Sequence, residues 1–267
     1  MGTHMQKPSD RFTQTVQDYV KINPFYLEDV LRFLVDECQL SKHRTIAGIG
    51  TGTGFVSRLL LEYGNVVYGV EANPLMRDTM IEEFRRYPSF SGVDGTAENT
   101  SLDNKSIDII MAGTAFHWFD LEKTKAEFKR VLKPQGWVLL IWNVRNPFKT
   151  DFLIDYENYI LKHGKDFRKG NENKTDDDLI QDFFRPFEAK VKSFTNIQQF
   201  NWEGLVGKLS STSHCLKPDD ANYEEMLREL RDLYEKHQLN GLVDFEYVTN
   251  MYYGHLNNDK SSKYLIG

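Results

Sequence analysis

Apolar residues recur along this chain in two rhythms, one spaced for helices and one for strands. Leu27, Val30, Leu31, Leu34, Val35 and Cys38 return every three or four positions and mark one face of a helix. Pro24 suits that helix's first turn. Short apolar runs and helical patterns then alternate. Strands are expected at Arg44–Ile49, Val66–Val70, Phe90–Val93, Ile107–Ala112 and Trp137–Trp142. Between them, helices are expected on Phe55–Leu61, on Leu75, Met76, Thr79, Met80 and Phe84, and on Phe128, Val131 and Leu132, the last stopping at Pro134-Gln135-Gly136. Such alternation predicts a doubly wound, parallel sheet with right-handed crossovers.

Past residue 143 the rhythm loosens. Phe152, Leu153, Tyr156, Tyr159 and Ile160 form a helical face, the polar Asp166–Asp178 reads as a mobile loop, and Leu179, Ile180, Phe183 and Phe184 form a short helix before Pro186. A β-rich stretch spans Phe187–Phe200 and a short helix starts at Trp202. Asn222 with Glu225 has the spacing of a capping box for a helix striped by Tyr223, Met226, Leu227, Leu230, Leu233 and Tyr234. A last strand covers Leu242–Tyr253. The whole is expected to be one α/β domain over residues 6–267, with a mostly parallel seven-stranded sheet and a helical lid insertion at 151–186. Met1-Gly2-Thr3-His4-Met5 reads as a vector remnant outside the fold.

Composition narrows the partners. The 267 residues carry a formal net charge of −6 with no concentrated basic block, which argues against a nucleic-acid ligand. No apolar run is long enough to span a bilayer, so no membrane contact is expected. Cys38 and Cys215 make no disulfide framework and point to a reducing, cytoplasmic compartment. Cys38 lies on an apolar stripe and is read as core. No set of ligands stands at metal spacing, so no metal is expected.

The chemistry gathers around Gly50-Thr51-Gly52-Thr53-Gly54, a glycine-rich turn between the first strand and its helix. Alternate glycines let backbone approach a ligand, and the helix start supplies N–H donors. Glu71, after the second strand, stands where an acid grips ribose hydroxyls. Phe55 occupies the place of the third dinucleotide glycine, and no lysine follows Gly54, so neither a dinucleotide nor a Walker phosphate loop fits well.

Together these residues resemble the class I S-adenosylmethionine-dependent methyltransferases. Ile49–Gly54 is similar to their first motif, Val70–Asn73 to the second, and Gly95–Glu98 with Ile107–Ile110 to the third and fourth. Leu132–Trp137 is similar to the family's turn into strand five. Thr114-Ala115-Phe116-His117-Trp118-Phe119-Asp120 resembles the segment after strand four in a small-molecule subgroup that includes trans-aconitate methyltransferase. The resemblance implies a Rossmann-like methyltransferase fold and S-adenosylmethionine as cofactor, with S-adenosylhomocysteine as product. Gly50, Thr51 and Gly52 would lie against the methionine and ribose. Glu71 would hold the ribose, Ala72, Thr96, Ala97 and Glu98 would border adenine, and Thr114 with Ala115 would approach the methionine end. Phe12 and Tyr19 match an N-terminal segment that covers the site. Three positions depart from the family: Gly48 and Thr96 where acids are usual, and Asn23 where arginine is common.

The expected reaction is methyl transfer to an oxygen or nitrogen of a small molecule, by a monomer or homodimer. His117 is the candidate general base, with walling of the pocket as its plainer role. Trp118, Trp142, Asn143 and Arg145 are expected to face the acceptor. The alternatives are a non-catalytic S-adenosylmethionine-binding partner protein and, behind it, a nucleic-acid methyltransferase or a dehydrogenase.

Overall fold

The computed structural model describes residues 28–50, 55–145, 147–163, 177–210 and 220–257. The order is α1 (Glu28–Cys38), β1 (Thr45–Ile49), α2 (Phe55–Tyr63), β2 (Val66–Val70), α3 (Pro74–Glu83), β3 (Phe90–Val93) and β4 (Ile107–Ala112). A 3-10 turn (Thr114–Trp118), α4 (Leu121–Val131), β5 (Leu132–Arg145), α5 (Asp151–His163) and α6 (Asp177–Phe184) follow, then β6 (Lys190–Phe200), α7 (Trp202–Ser210), α8 (Tyr223–His237) and β7 (Val243–Gly254). The sheet runs β3-β2-β1-β4-β5-β7-β6. The pairings β1–β2, β2–β3, β1–β4 and β4–β5 are parallel. From β1 the chain winds outward through β2 and β3, then crosses back to β4 on the other side, the doubly wound arrangement expected from the alternating pattern. The reversal point lies between β1 and β4, whose carboxyl ends carry Gly50 and Gly113.

All six residues of β4 are buried, as are four of the five in β1. Ile46, Ile49, Ile107, Ile109 and Ile110 are at most 1% exposed. Each such side chain contributes roughly 1.5–3 kcal/mol by leaving water. The charge in β4, Asp108, is compensated: Arg44 Nη1 (2.9 Å), the Thr45 N–H (2.9 Å) and Lys133 Nζ (2.7 Å) all donate to its carboxylate. Burial alone would raise its pKa, but those three donors hold it below the usual carboxylate range.

The structure corrects one boundary. Pro134-Gln135-Gly136 does not separate α4 from strand five but forms a bulge within β5. Leu132 pairs with Ile107 and Trp137 with Ile109, so Lys133–Gly136 stand opposite the single Asp108. Gln135 takes a left-handed φ of 62° there. Proline and glycine are tolerated because the bulged residues leave the ladder.

Of the described residues, those between 28 and 142, 177 and 192, and 250 and 257 form one unit, while those between 143 and 163, 193 and 210, and 220 and 249 form another. The expected 151–186 segment is thus divided, α6 belonging to the first unit and α5 to the second. In the first, Phe183 of α6 meets Phe116 edge-on at 5.0 Å and Phe128 at 6.0 Å, and the Tyr252 hydroxyl donates to Asp177 Oδ1 (2.6 Å). Cys38 is fully buried and burial pushes its thiol up to about 12, which suits the core role expected of it.

In the second unit, α5 and α8 exchange charges reciprocally. Lys162 and His163 end α5 and reach Glu229 on α8 at 2.5 and 2.8 Å; Lys236 and His237 end α8 and reach Asp155 on α5 at 2.6 and 2.7 Å. The Tyr159 hydroxyl donates to the Met226 carbonyl, a further bond between the same two helices. Around Phe245 gather Phe152, Tyr156 and Phe200, with ring centroids 4.9–5.3 Å away. Asn222 stands at the α8 start, yet its side chain makes no capping bond. Its φ of −100° and ψ of 11° lie in the bridge region between helix and strand, whereas the capping box needs an extended cap residue. Among the described residues no helix is long and apolar enough to cross a membrane.

One buried network lends itself to a pH test. Glu127 on α4 is 8% exposed and accepts from Arg130 Nε, from the Thr100 N–H and from the Thr100 hydroxyl, at 2.6–2.8 Å. Arg130, then the Thr100 donors, hold its pKa down at about 2. A carboxylate depressed in the folded state stabilises above its unfolded pKa, and the contribution is lost as pH falls from that value through the folded one. Glu127→Gln is therefore expected to cost about 1–3 kcal/mol at pH 7, measured by urea unfolding. Its stability deficit relative to wild type should shrink between pH 4.5 and 2.

Candidate functional site

The site forms within the first unit, where the carboxyl ends of β1, β2, β3 and β4 lie side by side. Gly50 closes β1 with a φ of +59°, and its N–H donates to the Val70 carbonyl at 3.0 Å. A Cβ built there would lie 2.7 Å from the Ala115 Cβ and 3.5 Å from the Phe119 ring. Only glycine satisfies both the left-handed backbone and that approach. The exit from β1 is thereby pressed onto the turn that follows β4. Thr51 and Gly52 lie outside the described residues, as do Phe12 and Tyr19.

At the β2 end, the Glu71 N–H donates to the Val93 carbonyl (3.0 Å), keeping β2 and β3 paired to their last residues. The Glu71 side chain is buried, and its Oε1 accepts the Asn73 N–H at 2.8 Å. Asn73 in turn caps α3, its Oδ1 accepting from Leu75 N and Met76 N with Pro74 in the first turn. A local hairpin of cap bonds thus aims the carboxylate, while Ala72 beside it is exposed.

After β3, Gly95 is needed because a Cβ would strike the Thr100 and Asn99 carbonyls at 2.8 and 2.9 Å. Thr96 is exposed, exchanging bonds with Asn99, and Ala97 is buried. Glu98 does something the sequence did not suggest: its Oε1 accepts the Asp120 N–H at 2.9 Å. Asp120 is the N-cap of α4, accepting from Lys123 N. The loop after β3 is thus tied to the end of the 114–118 turn.

That turn is anchored by Phe116, 1% exposed and edge-on to Phe119, Trp142 and Phe183 at 5.0–5.8 Å. Ala115 packs on Gly50. The backbone of Thr114 opens the turn after Gly113. His117 and Trp118 point outward, with ring centroids 4.8 Å apart, and Trp118 is 46% exposed. Although His117 keeps an exposed surface, its ring is desolvated enough to lower its pKa below the ordinary histidine value. It is consequently neutral at pH 7, the form that accepts a proton.

Of the expected acceptor residues, Trp142 lies in strand five as expected, while Asn143 and Arg145, beyond the expected strand, also belong to β5. Trp142 is 6% exposed and sits between Phe116 and Tyr252, a core ring of the first unit. In the second unit, Asn143 accepts from the Thr249 hydroxyl (2.5 Å), and Arg145 pairs with the buried Glu157 (2.5 Å) beneath the Tyr156 ring. Among the described residues no three His, Cys, Asp or Glu side chains come together as a metal set.

Residues 47–140 match the model of a family described as a methyltransferase domain. The chain is 26% identical over 248 residues to an uncharacterized methyltransferase of Schizosaccharomyces pombe, covering 90% of this chain and 95% of that one. A putative type II methyltransferase from Anaeromyxobacter dehalogenans superposes with a TM-score of 0.60 at 20% identity, over 88% of this chain and 99% of that one. A Haemonchus contortus phosphoethanolamine N-methyltransferase 2, solved with phosphomonomethylethanolamine and S-adenosylhomocysteine, gives a TM-score of 0.54 at 15% identity, over 92% of this chain and 58% of that one.

The contact between Gly50 and Ala115 makes a direct test. Gly50→Ala must both leave its backbone conformation and displace the turn, so a loss of about 1–3 kcal/mol is expected, read by chemical denaturation. Gly50→Ala with Ala115→Gly should recover the part due to collision and leave the part due to φ.

Proposed function

We propose that this chain, a class I S-adenosylmethionine-dependent methyltransferase, methylates an oxygen or nitrogen of a small molecule. The observation that supports this reading is the seating on Gly50 of the turn that carries His117, an imidazole whose pKa burial lowers. The −6 charge and the absence of a basic block favour a small acceptor over nucleic acid.

The residues present fit the cofactor. Glu71 is a buried carboxylate at the end of β2 suited to two ribose hydroxyls, and exposed Ala72 and Thr96 beside buried Ala97 offer a surface for adenine. Thr51, Gly52, Thr114 and Ala115 would take the methionine end, and Phe12 and Tyr19 would cover it. S-adenosylmethionine, when bound, supplies an electrophilic methyl group on a sulfonium. The protein's part is alignment, exclusion of water and removal of the acceptor's proton. His117 Nδ1 or Nε2 takes that proton as the acceptor attacks, and the lowered pKa keeps the ring unprotonated into mildly acidic conditions. Trp118 walls the rim. Glu98, through Asp120, holds the turn that carries both residues. Trp142 supports Phe116 beneath it. The Thr114–Asp120 segment supports an acceptor of the kind used by the small-molecule subgroup that includes trans-aconitate methyltransferase.

Calorimetric titration with S-adenosylhomocysteine tests the cofactor, and release of S-adenosylhomocysteine across acids, phenols and amines tests the reaction. His117→Ala should cut turnover about 10²–10⁴-fold while S-adenosylhomocysteine affinity stays near wild type. The wild-type rate should rise with pH through a value below 6.5, since the base must lose its proton and its pKa is lowered. That limb should vanish in the mutant. Equal turnover in mutant and wild type would leave His117 as wall.

A further inference from the structure

Arg77 plays no part in the site as described so far, yet it joins two of its strand ends. It lies on α3, and its Nη1 donates both to the Glu71 carbonyl and to Asp94 Oδ1, each at 2.8 Å. Glu71 follows β2 and Asp94 follows β3, so one nitrogen spans the exits of neighbouring strands. An arginine terminal nitrogen carries two hydrogens and can serve both acceptors at once. The side chain is 17% exposed, with its Cγ within 3.8 Å of a Cβ built on Gly92 in β3, which keeps the stem laid across the sheet edge.

Stability alone is a poor account of this arrangement. Asp94 is 76% exposed, and an ion pair with so wet a partner contributes little. The bond to the Glu71 carbonyl has a different consequence. That peptide group is the base from which the Glu71 side chain springs, and the Asn73 N–H already fixes the carboxylate at its other end. With Arg77 holding the backbone and Asn73 holding Oε1, the carboxylate is preorganised before any ligand arrives.

We infer that Arg77 is a positioning residue for nucleoside binding, acting through Glu71 and not by touching the ligand. The inference rests on the cofactor reading above. Its signature is coupling: removing Arg77 matters only while Glu71 can grip the ribose.

The experiment is a double-mutant cycle read by calorimetric titration of S-adenosylhomocysteine into the full chain, with melting temperature recorded for each variant. Arg77→Met is expected to weaken binding about tenfold to thirtyfold, as loss of a charge-assisted bond would. In a Glu71→Gln background the same change should add about twofold or less. Arg77→Lys, which keeps one donor reaching the carbonyl, should recover most of the affinity. Equal weakening in both backgrounds would overturn the inference, because Arg77 would then support the fold generally. So would an Arg77→Met protein that binds like wild type, or an Arg77→Lys protein as weak as Arg77→Met. If Arg77→Met does not fold, the lysine variant in both backgrounds decides the same question. Absence of any heat with wild type would overturn the cofactor reading and this inference together, which separates the two failures.

Discussion

The contact of Gly50 with Ala115 is the constraint on which the site depends. Two loops leave adjacent strands, β1 and β4, and each must clear the other before it can present anything to a ligand. A left-handed glycine at the first exit lets the second turn lie directly on it, with no side chain between. Everything on that second turn inherits its position from this contact: Phe116 turns inward to the core, while His117 and Trp118 turn outward. Glu98 then holds the far end of the turn through the Asp120 amide, so the segment is pinned at both ends and in the middle. The sheet beneath supplies the rigidity, because β1 and β4 are buried almost throughout and Asp108, the charge in β4, is met by three donors.

Much of this was legible from spacing. Apolar runs of four to six residues between helical patterns located the strands β1 to β4, and Gly50 marked the tight exit from β1. What could not be read was set by tertiary contacts. Pro134 and Gly136 are breakers in most contexts, and only the opposing Asp108 shows that here they bulge out of a continuing strand. Asn222 and Glu225 have capping-box spacing, but the backbone entering α8 is not extended at Asn222, and its side chain makes no capping bond. The bond of Glu98 to an amide twenty-two positions away had no local signal. Arg77 had none either, since a lone arginine on an exposed helix face is usually solvated.

The division of the chain into two units was invisible for a related reason. No linker marks it. The boundary falls inside strands, between Trp142 and Asn143 in β5 and again within β6 and β7. The two units use different chemistry for cohesion. The first relies on buried aliphatic strands and a few aromatic wedges such as Phe116 and Phe183. The second clusters rings around Phe245 and sets cations over them: Lys208 Nζ lies 5.0–5.7 Å from the centres of Phe200, Phe245 and Tyr247, and Arg231 is 4.7 Å from that of Trp202. The paired clamps of α5 and α8 add a polar seam along one side of that cluster.

Phe116 has a consequence for how this protein can change over generations. It is a core wedge whose next neighbour in sequence is His117, so one peptide bond separates a residue selected for packing from one exposed at the rim. A drift in Phe116, Phe183 or Trp142 that the fold could absorb would still rotate the histidine. Sequence variation in the interior is thereby coupled to the geometry of the exposed rim. A change at the exposed Trp118 leaves the interior untouched, but any change that moves the histidine must renegotiate the core at the same time.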